Sequence, residues 1–149
     1  MDEKITQMLI EEAVEARKQS FSPFSGFAVG AALMTAEGAV YRGCNIECSG
    51  LTASNCAERT AFFKAVSEGE RNFKAIAIVG GPSDRDVESL CYPCGICRQV
   101  MAQFCDLDSF RIIVAADRTH WEECTLRELL PRASGDTVWR KGAKNHENV

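Results

Sequence analysis

Cys56-Ala57-Glu58 and Pro93-Cys94-Gly95-Ile96-Cys97 are the two stretches whose residue types and spacing could do chemistry. Cys94 and Cys97 are three apart, so in a first helical turn both sulfurs can face one ion. With Cys56 they make a trio of thiolates. That set suits zinc and leaves a fourth position open for water, the catalytic arrangement rather than the structural one. Glu58 stands just past a ligand, where a carboxyl can reach that water without binding the metal, as a proton carrier must. Three thiolates and one Zn²⁺ leave a net negative charge, which weakens the pull on water unless something offsets it. Helix N-termini offer N–H donors and partial positive charge to the sulfurs. Arg59 and Arg98 each follow a ligand segment and are the expected cations, one or both donating to sulfur.

The rest of the chain must hold these groups in place. Its 149 residues fit one domain, and 46% hydrophobic with 26% charged residues is a globular composition. A net charge of −4 argues against a surface built to wrap nucleic acid, and a small-molecule partner fits better. The first apolar stretch, from Ile5 to Ala16, is broken by Glu11, Glu12 and Glu15 and does not resemble a signal peptide. No run has the length of a membrane span. A cytoplasmic location without membrane attachment is the expectation. There, eight cysteines point to metal or redox chemistry rather than to disulfides.

Helical spacing of Ile5, Met8, Leu9, Ala13 and Ala16 predicts an amphipathic helix over 2–19. Strands are expected at 28–35 and 39–44, on either side of Ala36-Glu37-Gly38. Asn55 is read as an N-cap with Glu58 completing a capping box, for a helix ending near Gly69. A buried strand at 75–79 is expected to end at Gly80-Gly81-Pro82, followed by a helix over 94–104 and a strand over 110–115. A further strand is optional. Thr125 to Glu128 opens a last short helix with a second capping box, ended by Pro131. The order implies an α/β fold, a three-layer α/β/α sandwich around a mixed sheet. Residues 1–132 are read as one catalytic domain, and 133–149 as a polar tail, part of that domain or flexible.

Cys56-Ala-Glu with Pro-Cys-Gly-Ile-Cys-Arg-Gln resembles the cytidine deaminase family in its small, single-domain form. Phe21-Ser-Pro-Phe-Ser-Gly-Phe-Ala-Val-Gly-Ala-Ala-Leu33, Gly43-Cys-Asn-Ile-Glu47 and Cys56-Ala-Glu-Arg-Thr-Ala61 also resemble family segments, in order. The resemblance runs from about residue 1 to 131. It implies a five-stranded sheet, one zinc ion per subunit and a homotetramer whose sites are completed by neighbouring subunits. It implies that Phe27 packs on the pyrimidine, that Asn45 and Glu47 hydrogen-bond a ribose hydroxyl, and that backbone at Cys56 and Ala57 contacts the base. The reaction implied is hydrolytic deamination of cytidine or deoxycytidine, a step of pyrimidine salvage. Activated water attacks C4, Glu58 shuttles protons, and ammonia leaves. For part of that cycle Glu58 must be neutral, so burial is expected to raise its pKa.

The chain departs from the family after Glu47, where Cys48-Ser-Gly-Leu-Thr-Ala-Ser-Asn55 lacks the usual Tyr. No aromatic closely follows Leu-Leu-Pro131, and Val138-Trp139 resembles the ending of blasticidin S deaminases. A cytosine-nucleoside antibiotic or a modified nucleoside is therefore the alternative substrate. Other readings are a thioredoxin-like Cys94/Cys97 pair, an editor of bases in nucleic acid, and a binding module with a structural zinc. That module would draw its fourth ligand from Cys91, Cys44 or Cys48. The other cysteines are expected to pack as small hydrophobes, and His120 and His146 to be structural or surface residues.

Overall fold

The computed structural model describes residues 1–129. Helix α1 (Glu3–Arg17) is followed by β1 (Phe27–Thr35), β2 (Val40–Cys44) and a 3₁₀ turn at Leu51–Ala53. Then come α2 (Ala57–Ser67), β3 (Phe73–Pro82), α3 (Gly95–Phe104), β4 (Arg111–Ala115), β5 (Trp121–Thr125) and a 3₁₀ turn at Arg127–Leu129. The sheet order is β2-β1-β3-β4-β5, parallel only between β3 and β4, so the expected five-stranded mixed sheet is present.

Alternation along the strands divides the core into two layers. Leu33, Ile76, Ile78, Ile112 and Val114 face α2 and α3 and pack on Phe62, Met101 and Phe110. Ala32, Ala75, Ala77, Val79 and Ile113 face α1 and pack on Leu9, Ile10 and Ala13. The sandwich is therefore α1 on one face and α2 with α3 on the other. Arg17, in the last turn of α1, donates from Nε to Ala28 O at 2.9 Å and from Nη2 to Gly81 O at 3.1 Å and Pro82 O at 2.7 Å. That guanidinium ties α1 to the strand ends beside the site. The edge strand β5 turns Glu122 and Glu123 outward.

Two expectations about local structure need correction. Asn55 does not cap α2. Its N–H and C=O pair with Ile46, both at 2.9 Å, and its side chain donates to Thr60 Oγ1. The helix therefore starts one residue later with Cys56 as N-cap, whose side chain makes no cap bond. Strand β3 does not stop at the glycines but continues to Pro82, opposite Phe27. A Cβ on Gly80 would sit 2.9 Å from Cys91 Sγ, so the glycine leaves room for the returning segment that leads to Cys94. The optional strand is β5, paired with β4. The second capping box does form: Thr125 N–H donates to Glu128 Oε2 at 2.9 Å, and Glu128 N–H to Thr125 Oγ1 at 3.3 Å. The proposed end at Pro131, the boundary at 132, the tail and Val138-Trp139 lie outside the described residues.

Gly43 seats α2. A Cβ there would stand 2.3 Å from Ala57 O and 2.5 Å from Ala61 N, both backbone atoms. Gly43→Ala is expected to cost about 2 kcal/mol, an ordinary overpacking penalty, and to displace the helix start that carries Glu58. A urea midpoint unchanged from the parent protein would show that this contact does not set the helix.

Candidate active site

Both helix starts on one face of the sheet are given to sulfur. Cys56 is the N-cap of α2 and Cys94 the N-cap of α3, and neither makes a side-chain cap bond. The position where Ser or Asp would accept from the helix amides instead presents a thiol. Cys97 lies in the first turn of α3 and is buried. The Sγ atoms of Cys56, Cys94 and Cys97 all lie within 4.8 Å of one another. Cys56 Sγ and Cys94 Sγ are 3.7 Å apart. Two sulfurs bound tetrahedrally to one zinc, each at about 2.3 Å, stand roughly 3.8 Å apart, so the spacing fits that ion. Among the described residues this group has three members, not four. Cys91 packs instead against Gly80, and its pKa is pushed up to about 12, first by burial.

Glu58, in the first turn of α2, is 4% exposed. Burial, and then the Cys56 thiolate, push its carboxyl up to about 7. Such a group holds and releases a proton near neutrality, as a shuttle requires. Hydrogen bonds, from Cys97 first and also from Arg59, draw the Cys56 thiol down to about 5. The same bond with Cys56, together with burial, drives Cys97 upward. Arg59 Nη2 donates to Cys56 Sγ at 3.2 Å. The bonds to Cys56 and Cys97 outweigh burial and keep the Arg59 guanidinium charged. Its Nε is buried with no hydrogen-bond partner among the described residues. Arg98 is directed elsewhere. Its Nε donates to Pro93 O at 2.8 Å and its Nη1 to Leu129 O at 2.7 Å, which joins the approach to α3 to the turn after β5.

The residues read from the sequence as substrate contacts form a second cluster. Phe27 opens β1 and is 39% exposed. Asn45 and Glu47 flank Ile46, which bridges to Phe21 on one side and to Asn55, the residue before Cys56, on the other. Asn45 Nδ2 donates to Phe27 O at 2.7 Å. Glu47 Oε1 accepts from Phe24 N at 3.0 Å and Ser25 N at 3.1 Å. Ala57 is buried in the first turn of α2. Sequence reasoning missed Ser20, which donates to Asn45 Oδ1, and Ser25, which accepts from Phe27 N at 3.0 Å. Both lie in a breaker-rich loop where nothing in the composition distinguishes them. A separate cavity of about 600 Å³ lies along α1, lined by Glu11, Glu15, Arg17 and Val79 among others, and includes none of these site residues.

The family model described as the cytidine and deoxycytidylate deaminase zinc-binding region matches residues 3–114. The chain is 49% identical over 127 residues to the cytidine deaminase of Sporosarcina psychrophila, covering 85% of this chain and 89% of that one. The crystal structure of cytidine deaminase from Burkholderia pseudomallei superposes with a TM-score of 0.75 at 39% identity, over 85% of this chain and 97% of that one. The blasticidin-S deaminase of Bacillus cereus is 31% identical over 106 residues, 69% of this chain and 74% of that one.

Proposed function

Since the chain belongs to the cytidine and deoxycytidylate deaminase family, we propose that it hydrolyses cytidine or deoxycytidine to the uracil nucleoside and ammonia. The observation that carries this reading is the open trio of Cys56, Cys94 and Cys97 beside a buried Glu58 held near neutrality. A structural zinc in a binding module would enclose the ion and have no use for that carboxyl.

In this reading the three thiolates hold zinc. When bound, the metal supplies the acidity that makes water a nucleophile near neutral pH. Glu58 takes the proton from the attacking water and delivers it to N3 of the base as the C4–O bond forms. It then moves the second proton to the departing amine as the C4–N bond breaks. Arg59 offsets the excess negative charge of the thiolates through its bond to Cys56. Phe27 packs against the pyrimidine, and the backbone at Cys56 and Ala57 meets its polar edge. Asn45 Oδ1 already takes two donors and Glu47 Oε1 two more, so a sugar hydroxyl would accept from Asn45 Nδ2 and donate to Glu47 Oε2.

We further place the protein in the cytosol, in pyrimidine salvage, as a homotetramer. Thiolate ligands favour a reducing compartment. Phe24, Leu51 and Ile96 are exposed apolar side chains suited to contact between subunits. The test is loss of absorbance with cytidine, deoxycytidine, cytosine, blasticidin S and adenosine, with zinc measured on the same sample. Turnover of the first two is expected. Turnover of blasticidin S alone would shift the substrate to the antibiotic, and turnover of none would remove the enzymatic reading.

A further inference from the structure

Phe27 is held in an unusual way for the first residue of a strand. Its N–H donates to Ser25 Oγ at 3.0 Å and its C=O accepts from Asn45 Nδ2 at 2.7 Å. Both of its main-chain groups are thus partnered by side chains. On β3 its opposite number is Pro82, which has no N–H to offer. The regular β1–β2 ladder ends with Gly30 opposite Cys44. Beyond it, Asn45 N–H still donates to Val29 O at 3.2 Å, and Asn45 Oδ1 accepts from Val29 N at 2.9 Å. The carboxamide accepts from one β1 residue and donates to another two positions away, as the C=O of one β2 residue and the N–H of the residue two further on would do in a continued ladder. Ser20 Oγ also donates to Oδ1, so the oxygen and nitrogen ends of the amide are fixed by three partners.

We propose that Asn45 is a positioning residue for Phe27: its carboxamide extends the β1–β2 ladder by one unit and sets where the aromatic wall of the site stands. This rests on reading Phe27 as the wall against the base. It reaches beyond the sugar contact, because Asn45 then governs the grip on the base even when no sugar hydroxyl is present. Glu47 works on the same loop from the other side by accepting from Phe24 N and Ser25 N.

The experiment compares Asn45→Ala with the parent enzyme on cytidine and on dideoxycytidine, which lacks both ring hydroxyls. Displacement of a binding wall by about 1 Å costs on the order of 100-fold in kcat/KM. The expected result is a loss of that size, carried mainly by KM and equal within a few fold on both substrates, at unchanged zinc content. A loss confined to cytidine would mean that Asn45 only meets the sugar, and would overturn the proposal. Amide hydrogen exchange of the substrate-free protein gives a reading independent of activity. Loss of one hydrogen bond should speed exchange at Val29 about fivefold, leaving β3 and β4 unaltered. An unchanged rate at Val29 would also overturn it. Ser25→Ala, which removes the other hold on Phe27, should raise KM for both substrates and covers the case in which Asn45→Ala does not fold. A parent protein with no deaminase activity would refute the functional reading alone, and the exchange rates would still decide the role of Asn45.

Discussion

Glu58→Gln is expected to lower kcat by about 10³- to 10⁴-fold while zinc stays at one per chain, because the proposed mechanism runs two proton transfers through this single group. Glutamine matches glutamate in shape, so the first turn of α2 and its packing are preserved, but it cannot take up and release a proton. At 4% exposure the side chain has little access to bulk water that could substitute for it. The carboxyl is held at about 7, first by burial. Replacing it with an amide also removes an ionisable group from an apolar site, so stability should be equal or higher. A lower rate with unaltered zinc and an unaltered thermal midpoint separates chemistry from folding. A variant that keeps more than a tenth of parental kcat would exclude Glu58 as the proton carrier.

The second large effect is expected at a ligand. Cys97→Ser should abolish bound zinc and reduce deamination to background. It should also lower the thermal midpoint by roughly 10 °C, since a ligand present at about 1,000 times its Kd contributes about 4 kcal/mol of stability. Cys97 is 1% exposed and belongs to the same core cluster as Met101 and Phe62, so metal and core are continuous at this point. The ion would also join the starts of α2 and α3, whose N-caps lack side-chain bonds of their own. Cys105→Ala is the control: its thiol is driven up to about 12 by burial, lies outside the trio, and its removal should leave zinc unchanged. Full zinc occupancy in Cys97→Ser would rule out the three-thiolate site.

Much of this arrangement is legible in the residues. Cysteines three apart at a helix start, an acid two past a third cysteine, and helical or alternating apolar patterns led to the cluster, the layers and the sheet. Non-local pairing was hidden. Asn55 has the composition of a cap, yet Ile46 claims its backbone from across the loop, and local propensity gives no sign of that. Gly80-Gly81-Pro82 has the signature of a chain reversal. It continues β3 because β1 offers a partner along its whole length and Cys91 needs the space above Gly80. Arg59 and Arg98 have equivalent places in the sequence, one residue beyond a site segment. They diverge because Arg59 turns back over Cys56 whereas carbonyls at Pro93 and Leu129 draw Arg98 away.

The outer strand β5 carries a consequence for how copies of this protein meet. Two like strands that met edge to edge would bring Glu122 and Glu123 of one molecule against the same acids of another, a repulsive pairing. Zipping into a continuous intermolecular sheet, the usual route to fibres, is disfavoured on that flank. Contacts between copies, where they form, must use a surface other than this edge.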